Sequence, residues 1–525
     1  MPRPFPETRT PPNPVHHLPL DGTSLTLEAL LPLAQGEPCE IQVSEDVYAG
    51  LQASRDMVDA CLERGDAVYG ISTGFGKLKN KAIAPGDLAE LQRNLVLSHS
   101  VGMGEPLSVA EVRIAQVLRL NSLLRGVSGI RIELARRLVE CFNLGFVPEV
   151  PGQGSVGDSG DLAPLSHMVA AYMGFGFVHL NGRRLPAGDA LKELNLEPLE
   201  LAAKEGLALI NGTEVMKAIA TVNVLRARNL SKAADAITSL TLEAKFGSIY
   251  PYQERLAELK ANAGQSRTAA NVRACLQGSQ VLESHADCDR VQDPYSLRCV
   301  PQIHGAFKTA LEHVDAVLQA ELNAVTDNPI VDPETGSVYS AGLFHGLPLS
   351  VSQDYLALSL CTLANVSERR IEQLVNPDLS GLPAFLTPIP GLHSGFMITQ
   401  YTAAALASEN KPLAHPASAD TVPTSANQED HVSMGMTAVR KVRSILDNTE
   451  KILAIELLCA AQAREFHPEL KAGKGAEAAH AHLRTRVEPL REDRYLAPDL
   501  ETAHQLLADG SLVAAVETAA GPLVA

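Results

Sequence analysis

Apolar residues recur at steps of three and four along most of the chain. From Phe307 they fall at Ala310, Leu311, Val314, Val317, Leu318, Leu322 and Val325, which is one face of a helix. Val439, Val442, Ile445, Leu446, Ile452, Leu453 and Leu457 form a second such face. The same spacing predicts helices over 50–64, 86–101, 108–124, 129–144, 213–240 and 347–374. Alternation of period two is confined to 38–43 and 176–185, where Asn181-Gly182 predicts a hairpin turn. No repeat of fixed period is present. The pattern predicts a mainly α protein, a bundle of long helices.

Between these helices lie polar, glycine-rich segments of unusual composition: YGISTGFG (69–76), GSVGDSGDLAPLSHM (154–168), INGT (210–213), QDPYSLRC (292–299), AGLFHG (341–346) and TSANQEDHVSMG (424–435). Function gathers on loops held by a rigid scaffold, so these segments are the candidate site.

Composition narrows the classes. A chain of 525 residues exceeds one simple core and predicts two or three sub-domains or one long helical body. A formal charge of −17 argues against a nucleic-acid partner, which wants a basic face. Eight cysteines without a CxxC pair argue against a zinc site and predict free thiols in a cytoplasmic protein. The proline-rich start lacks an apolar core, so residues 1–20 are expected to form a flexible arm rather than a signal peptide. No apolar run is long enough to span a membrane.

The stretch Gly154–Met168 allows three readings. Gly157-Asp158-Ser159-Gly160 has the look of a serine nucleophile, but no strand precedes it and the glycine spacing does not fit an esterase elbow. Asp158 and Asp161 offer two carboxylates to a cation, without a third at suitable spacing, so no metal is expected. Asp161 is most simply the N-cap of a helix opening on Leu162-Ala163-Pro164.

The third reading is a resemblance. GSVGDSGDLAPLSHM closely resembles the signature of the aromatic amino acid ammonia-lyases, above all their histidine branch. The other polar loops match that family in order, from about residue 40 to 515. The resemblance implies that Asp158-Ser159-Gly160 cyclises with loss of two waters into a 4-methylideneimidazole-5-one (MIO) electrophile, with Ser159 supplying the methylidene carbon. It implies Tyr69 as the base at the β-carbon, Tyr295 as a catalytic partner in the proton network, and Arg298 as the clamp on the substrate carboxylate. It places Asn211 and Gln292 beside ring and substrate, Phe344 in the pocket wall, and His99 and Glu429 on the imidazole of histidine. The products implied are urocanate and ammonia, formed by amine addition or, in a rival scheme, by attack of the substrate ring.

Taken singly, each residue has an ordinary structural use. Tyr69 could anchor a loop, His99 end a helix, Arg298 form an ion pair, Asn211 make a turn, Phe344 fill core, and Glu429 solvate a face. A tyrosine has an ordinary pKa near 10, so the resemblance requires cationic or hydrogen-bonding neighbours that lower it at Tyr69.

Three positions depart from the family pattern. Asp158 replaces the usual alanine, Leu343 an asparagine, and Ser72 an asparagine. They leave open a lyase or aminomutase acting on another amino acid, or a non-catalytic paralogue. The resemblance further implies a homotetramer on a fumarase/aspartase-like helical scaffold, with active sites shared between subunits. The expected division is a mixed N-terminal domain, 21–212, carrying the tyrosine loop and the triplet, and a helical bundle, 213–525.

Overall fold

The computed structural model describes residues 15–525 apart from 67, 75, 77–80, 82 and 288–290. The arm up to residue 14, Phe75 of YGISTGFG and Cys288 lie outside the described residues.

Every long helix read from the periodicity is present: Gln52–Arg64, Leu88–His99, Val109–Leu123, Ile132–Asn143, Glu214–Ala244, Val300–Leu322, Leu347–Val375 and Gly435–Arg464. The fold is mainly α. Local signals set helix ends where they are strong. Ser108 accepts from Glu111 N while the Glu111 carboxylate accepts from Ser108 N, a capping box that opens Val109–Leu123.

The described chain divides into two compact units. The first holds the residues up to Val222 with Leu318–Leu349 and Ser418–Met436; the second holds Asn223–Val317, Ser350–Ala417 and Thr437–Ala525. This differs from a single boundary at residue 212. Two later segments, carrying AGLFHG and TSANQEDHVSMG, return to the first unit, and local pattern does not encode such returns.

The first unit contains all the strands among the described residues. His16–Pro19 pairs in parallel with Cys39–Gln42, so the end of the expected arm is ordered, with Leu18 and Leu20 buried. Phe177–Leu180 and Arg183–Pro186 form the expected hairpin, and Asn181 (φ 52°) and Gly182 (φ 74°) make its left-handed turn. Met103–Pro106 pairs with Pro151–Gln153, and Ile330–Asp332 with Ser337–Tyr339.

In the second unit the predicted apolar faces are the core. Val439, Val442, Ile445, Leu446, Ile452, Leu453 and Leu457 are all fully buried. At about 1.5–3 kcal/mol each, these seven side chains contribute about 10–20 kcal/mol before chain entropy is set against them.

Candidate active site

The triplet lies in a loop between the strand Pro151–Gln153 and the helix Leu162–Tyr172. Its backbone is tied down on all sides. Gly157 O accepts from Ser433 Oγ (3.1 Å) and Val156 O from Met434 N (2.9 Å). Ser155 Oγ accepts from Gly157 N (3.0 Å) and donates to Gly160 O (3.2 Å). Gly160 has φ +77°, and a Cβ there would overlap the Gly212 carbonyl. Only glycine fits.

Asp161 follows the triplet at the N-cap position, as expected, but it does not cap its own helix. Its Oδ2 accepts from Met216 N (2.8 Å), so it caps the start of Glu214–Ala244 instead. Its own N–H donates to Gly212 O (2.7 Å). Burial pushes this carboxyl up to about 8, against the opposing pull of the Met216 N–H. Asp161 thus joins three chain segments beneath the triplet.

Asn211 and Gly212 rest on buried charge. Arg119 donates through Nη1 to Asn211 O and to Glu214 Oε2, each at 2.9 Å. Thr326 Oγ1 donates to Glu214 Oε1 (2.7 Å). Lys204 Nζ reaches Asp327 Oδ2 (2.7 Å), and the next residue, Asn328, accepts from Asn211 Nδ2 through its backbone oxygen (2.9 Å). Asn211 Oδ1 is buried with no hydrogen-bond partner.

Above this floor opens a cleft of about 1620 Å³. Seven of the predicted residues line it: Tyr69, His99, Asp158, Ser159, Asn211, Phe344 and Glu429. Tyr69 sits on a tight turn closed by Ser72, whose hydroxyl accepts from Val68 N (3.0 Å) and donates to Asp66 O (2.5 Å). Ser72, in the place of asparagine, is therefore used in shaping the tyrosine loop. The Tyr69 hydroxyl accepts from Gly76 N at 3.5 Å. Its pKa is raised, not lowered: burial dominates and Glu429 adds to it, with only the Gly76 N–H opposing. The expectation of a lowered tyrosine is not met among the described residues, where burial is the largest influence and no cation opposes it.

His99 ends the helix Leu88–His99, with Nδ1 3.1 Å from Ser98 Oγ. Burial pushes its imidazole below the ordinary range, while the Leu95 carbonyl and the Asp158 carboxylate pull it up. Asp158 Oδ2 accepts from Thr424 Oγ1 at 3.5 Å, and Thr424 N donates to Glu429 O at 3.0 Å. Glu429 Oε2 is buried without a partner. Its loop is strained: Ser425, Ala426 and Asn427 take φ of 50°, 54° and 64°, a left-handed run with no glycine.

Gln292, Tyr295 and Arg298 belong to the second unit and are not in this lining. Tyr295 is 67% exposed, with the Arg298 guanidinium 4.5 Å over its ring. Leu343 is 52% exposed and does not line the cleft, although its neighbours Ala341 and Phe344 do. Its side chain therefore leaves the cleft wall of this chain unchanged. Sequence reasoning missed Arg119, Asn328 and Thr424. Arg119 had one signal, a charge set between the apolar residues Val117, Leu118 and Leu120; Asn328 had none.

A model of the aromatic amino acid lyases matches residues 25–485. The chain belongs to the aromatic amino acid lyase family. It is 48% identical to histidine ammonia-lyase of Natranaerobius thermophilus over 485 residues, 92% of this chain and 96% of that one. It is 49% identical to the Symbiobacterium thermophilum histidine ammonia-lyase over 502 residues, covering 96% and 99%. Among solved structures, Trypanosoma cruzi histidine ammonia-lyase superposes with TM-score 0.89 at 41% identity, covering 96% of this chain and 95% of that one. Tyrosine aminomutase from Streptomyces globisporus superposes with TM-score 0.90 at 36% identity, covering 96% and 98%. These lyases and aminomutases share the fold, so side chains in the cleft must decide the substrate.

Proposed function

We propose that the protein removes ammonia from L-histidine without oxidation, giving trans-urocanate and ammonium. One observation carries this reading: Tyr69, Asp158 and Ser159 of the triplet, and the pair His99 and Glu429 share one cleft. Near-half identity over almost the whole chain to proteins named histidine ammonia-lyase supports the same substrate.

The triplet fits the MIO group. Gly160 carries no side chain, in a turn that admits none, and the backbone on both sides is held by hydrogen bonds. Once formed, the group would supply an electrophilic carbon at Ser159 that makes the substrate nitrogen easier to expel. The chain's other residues bind and move protons. Glu429 accepts from the imidazole N–H, with Phe344 as an apolar wall. Asn211 directs its free Oδ1 at bound donors. Tyr69 takes the β-proton on its phenolic oxygen.

Arg298 grips the substrate carboxylate; its Nε has no hydrogen-bond partner among the described residues. The assembly is a homotetramer in which Gln292, Tyr295 and Arg298 complete the cleft of a neighbouring subunit. Exposed Val351, Tyr355 and Leu358 along one face of Leu347–Val375 support such an interface. The seven described cysteines are free, and no described helix is long and apolar enough to cross a membrane; a cytoplasmic location agrees with both.

Intact-mass spectrometry and urocanate absorbance test the reading together. The wild-type chain should weigh two waters less than its sequence and convert histidine to urocanate. Ser159→Ala should carry the full mass and lose turnover. Wild-type turnover by Ser159→Ala would overturn the reading.

A further inference from the structure

The base in this cleft is scarce in its ionised form. Burial and Glu429 both disfavour the Tyr69 phenolate. A carbon-bound proton leaves at a useful rate only if the substrate itself is made more acidic. The His99 end of the cleft is built to do that.

Ser98 Oγ spends its proton on Leu95 O (3.1 Å), so it faces His99 Nδ1 as an acceptor. Neutral His99 therefore carries its proton on Nδ1 and presents the Nε2 lone pair. Burial favours that neutral form. Asp158 and Glu429 stand in the same lining, and Thr424 touches both residues, its hydroxyl donating to the Asp158 carboxylate and its N–H to the backbone oxygen of Glu429. The triplet loop and the segment after His99 are locked together. A Cβ on Gly154 would lie 3.1 Å from Gly102 Cα, and Gly102 N donates to His167 Nε2 (2.9 Å) on the helix after the triplet. Among the described residues the lining carries the acidic side chains Asp158, Glu429 and Asp430 and the basic side chain Lys81. His345 and His431 stack on each other, ring centres 5.7 Å apart.

We propose that Asp158 is a specificity-determining residue that makes the cleft take the substrate ring as an imidazolium, its two N–H donors facing the acceptors Asp158, Glu429 and His99 Nε2. The proposal rests on histidine being the substrate. A cationic ring changes the proton-transfer step. The β C–H bond breaks, the proton passes to the ionised Tyr69 oxygen, and the electron pair delocalises into the ring and neutralises it. From a neutral ring the same step leaves a full negative charge on the substrate.

Proton uptake on binding tests this directly. Imidazole-4-propionate carries the ring but no amine, so the wild-type enzyme cannot deaminate it. Titration calorimetry at pH 7.5 in phosphate and in Tris gives the protons taken up per site. A free imidazole near 6.5 is about 10% charged there; acceptors that raise it by two units make it about 90% charged, an uptake of about 0.8 proton. Asp158→Asn should reduce this to about 0.4, and flatten the rise of KM for histidine as pH is raised from 6.5 to 8.5. Intact mass of Asp158→Asn shows separately whether its ring has formed. Wild-type uptake below about 0.2 proton, or equal uptake and equal KM profiles in wild type and Asp158→Asn, overturns the proposal. Failure of the wild type to make urocanate would instead remove the histidine reading on which it stands.

Discussion

Replacing Asp161 with asparagine should flatten the dependence of stability on pH. Asp161 is fully buried, its Oδ2 accepts from Met216 N, and its Oδ1 has no partner. Burial holds its folded-state value at about 8, while the unfolded chain titrates it as an ordinary carboxyl near 3.9. Between those values the folded protein keeps a proton that the unfolded chain gives up. Stability therefore falls as pH rises across that window, by about 1.4 kcal/mol per pH unit for one proton. From pH 5.5 to 7 this group alone removes about 2 kcal/mol. Asparagine keeps an oxygen for Met216 N and has no proton to lose. Urea unfolding of both proteins at one protein concentration, at pH 5.5 and 7, isolates the term as a difference of differences. Other titrating groups cancel because both proteins share them. Equal pH dependence in the two proteins would show that Asp161 is ionised in the fold and that burial does not dominate it.

Glu429→Gln should lower kcat/KM for histidine by about ten- to a hundredfold, the loss of one charge-assisted hydrogen bond, and lower any turnover of phenylalanine, which has no ring N–H, much less; equal losses on both substrates would remove Glu429 from ring recognition. Mixing inactive Tyr69→Phe and Arg298→Ala subunits under conditions of reversible dissociation should restore about a quarter of wild-type activity, because random reassembly gives one site in four both intact residues. No recovery in verified mixed tetramers would place Tyr69 and Arg298 in the same subunit's site.

The helices were legible because burial along one face repeats every 3.6 residues, and the faces read at Phe307–Leu322 and Val439–Leu457 are the buried ones. The strands were less so. Val147–Pro148 and Pro151–Gln153 are two and three residues long and rich in proline and glycine, too short for alternation to register. The site was legible where a motif sits on one loop, as at Ser159, Asn211 and Glu429. It was illegible where a partner arrives from elsewhere in the sequence. The N-cap rule placed Asp161 correctly at a helix start, yet its carboxylate binds the start of a different helix, because Met216 is adjacent in space and not in sequence. The Tyr69 expectation failed for a related reason: the chemistry demanded a lowered pKa, but burial is a property of the packed cleft.

The charges beneath the cleft are better explained by position than by stability. Arg119 with Glu214 and Lys204 with Asp327 are ion pairs with almost no exposure. Removing such groups from water costs several kcal/mol per ion, and their attraction returns roughly that amount. Apolar side chains of equal volume would hold the helices as well. They would not hold Asn211 and Gly212. Arg119 fixes the Asn211 carbonyl, Asp161 N fixes the Gly212 carbonyl, and Asn328 fixes the Asn211 amide nitrogen, which leaves Oδ1 as the free atom. An amide free to rotate would present donor and acceptor alternately. One held at its nitrogen offers only its oxygen, and Asn211 lines the same cleft as Ser159. The buried charge sets the direction of one amide in the cleft lining.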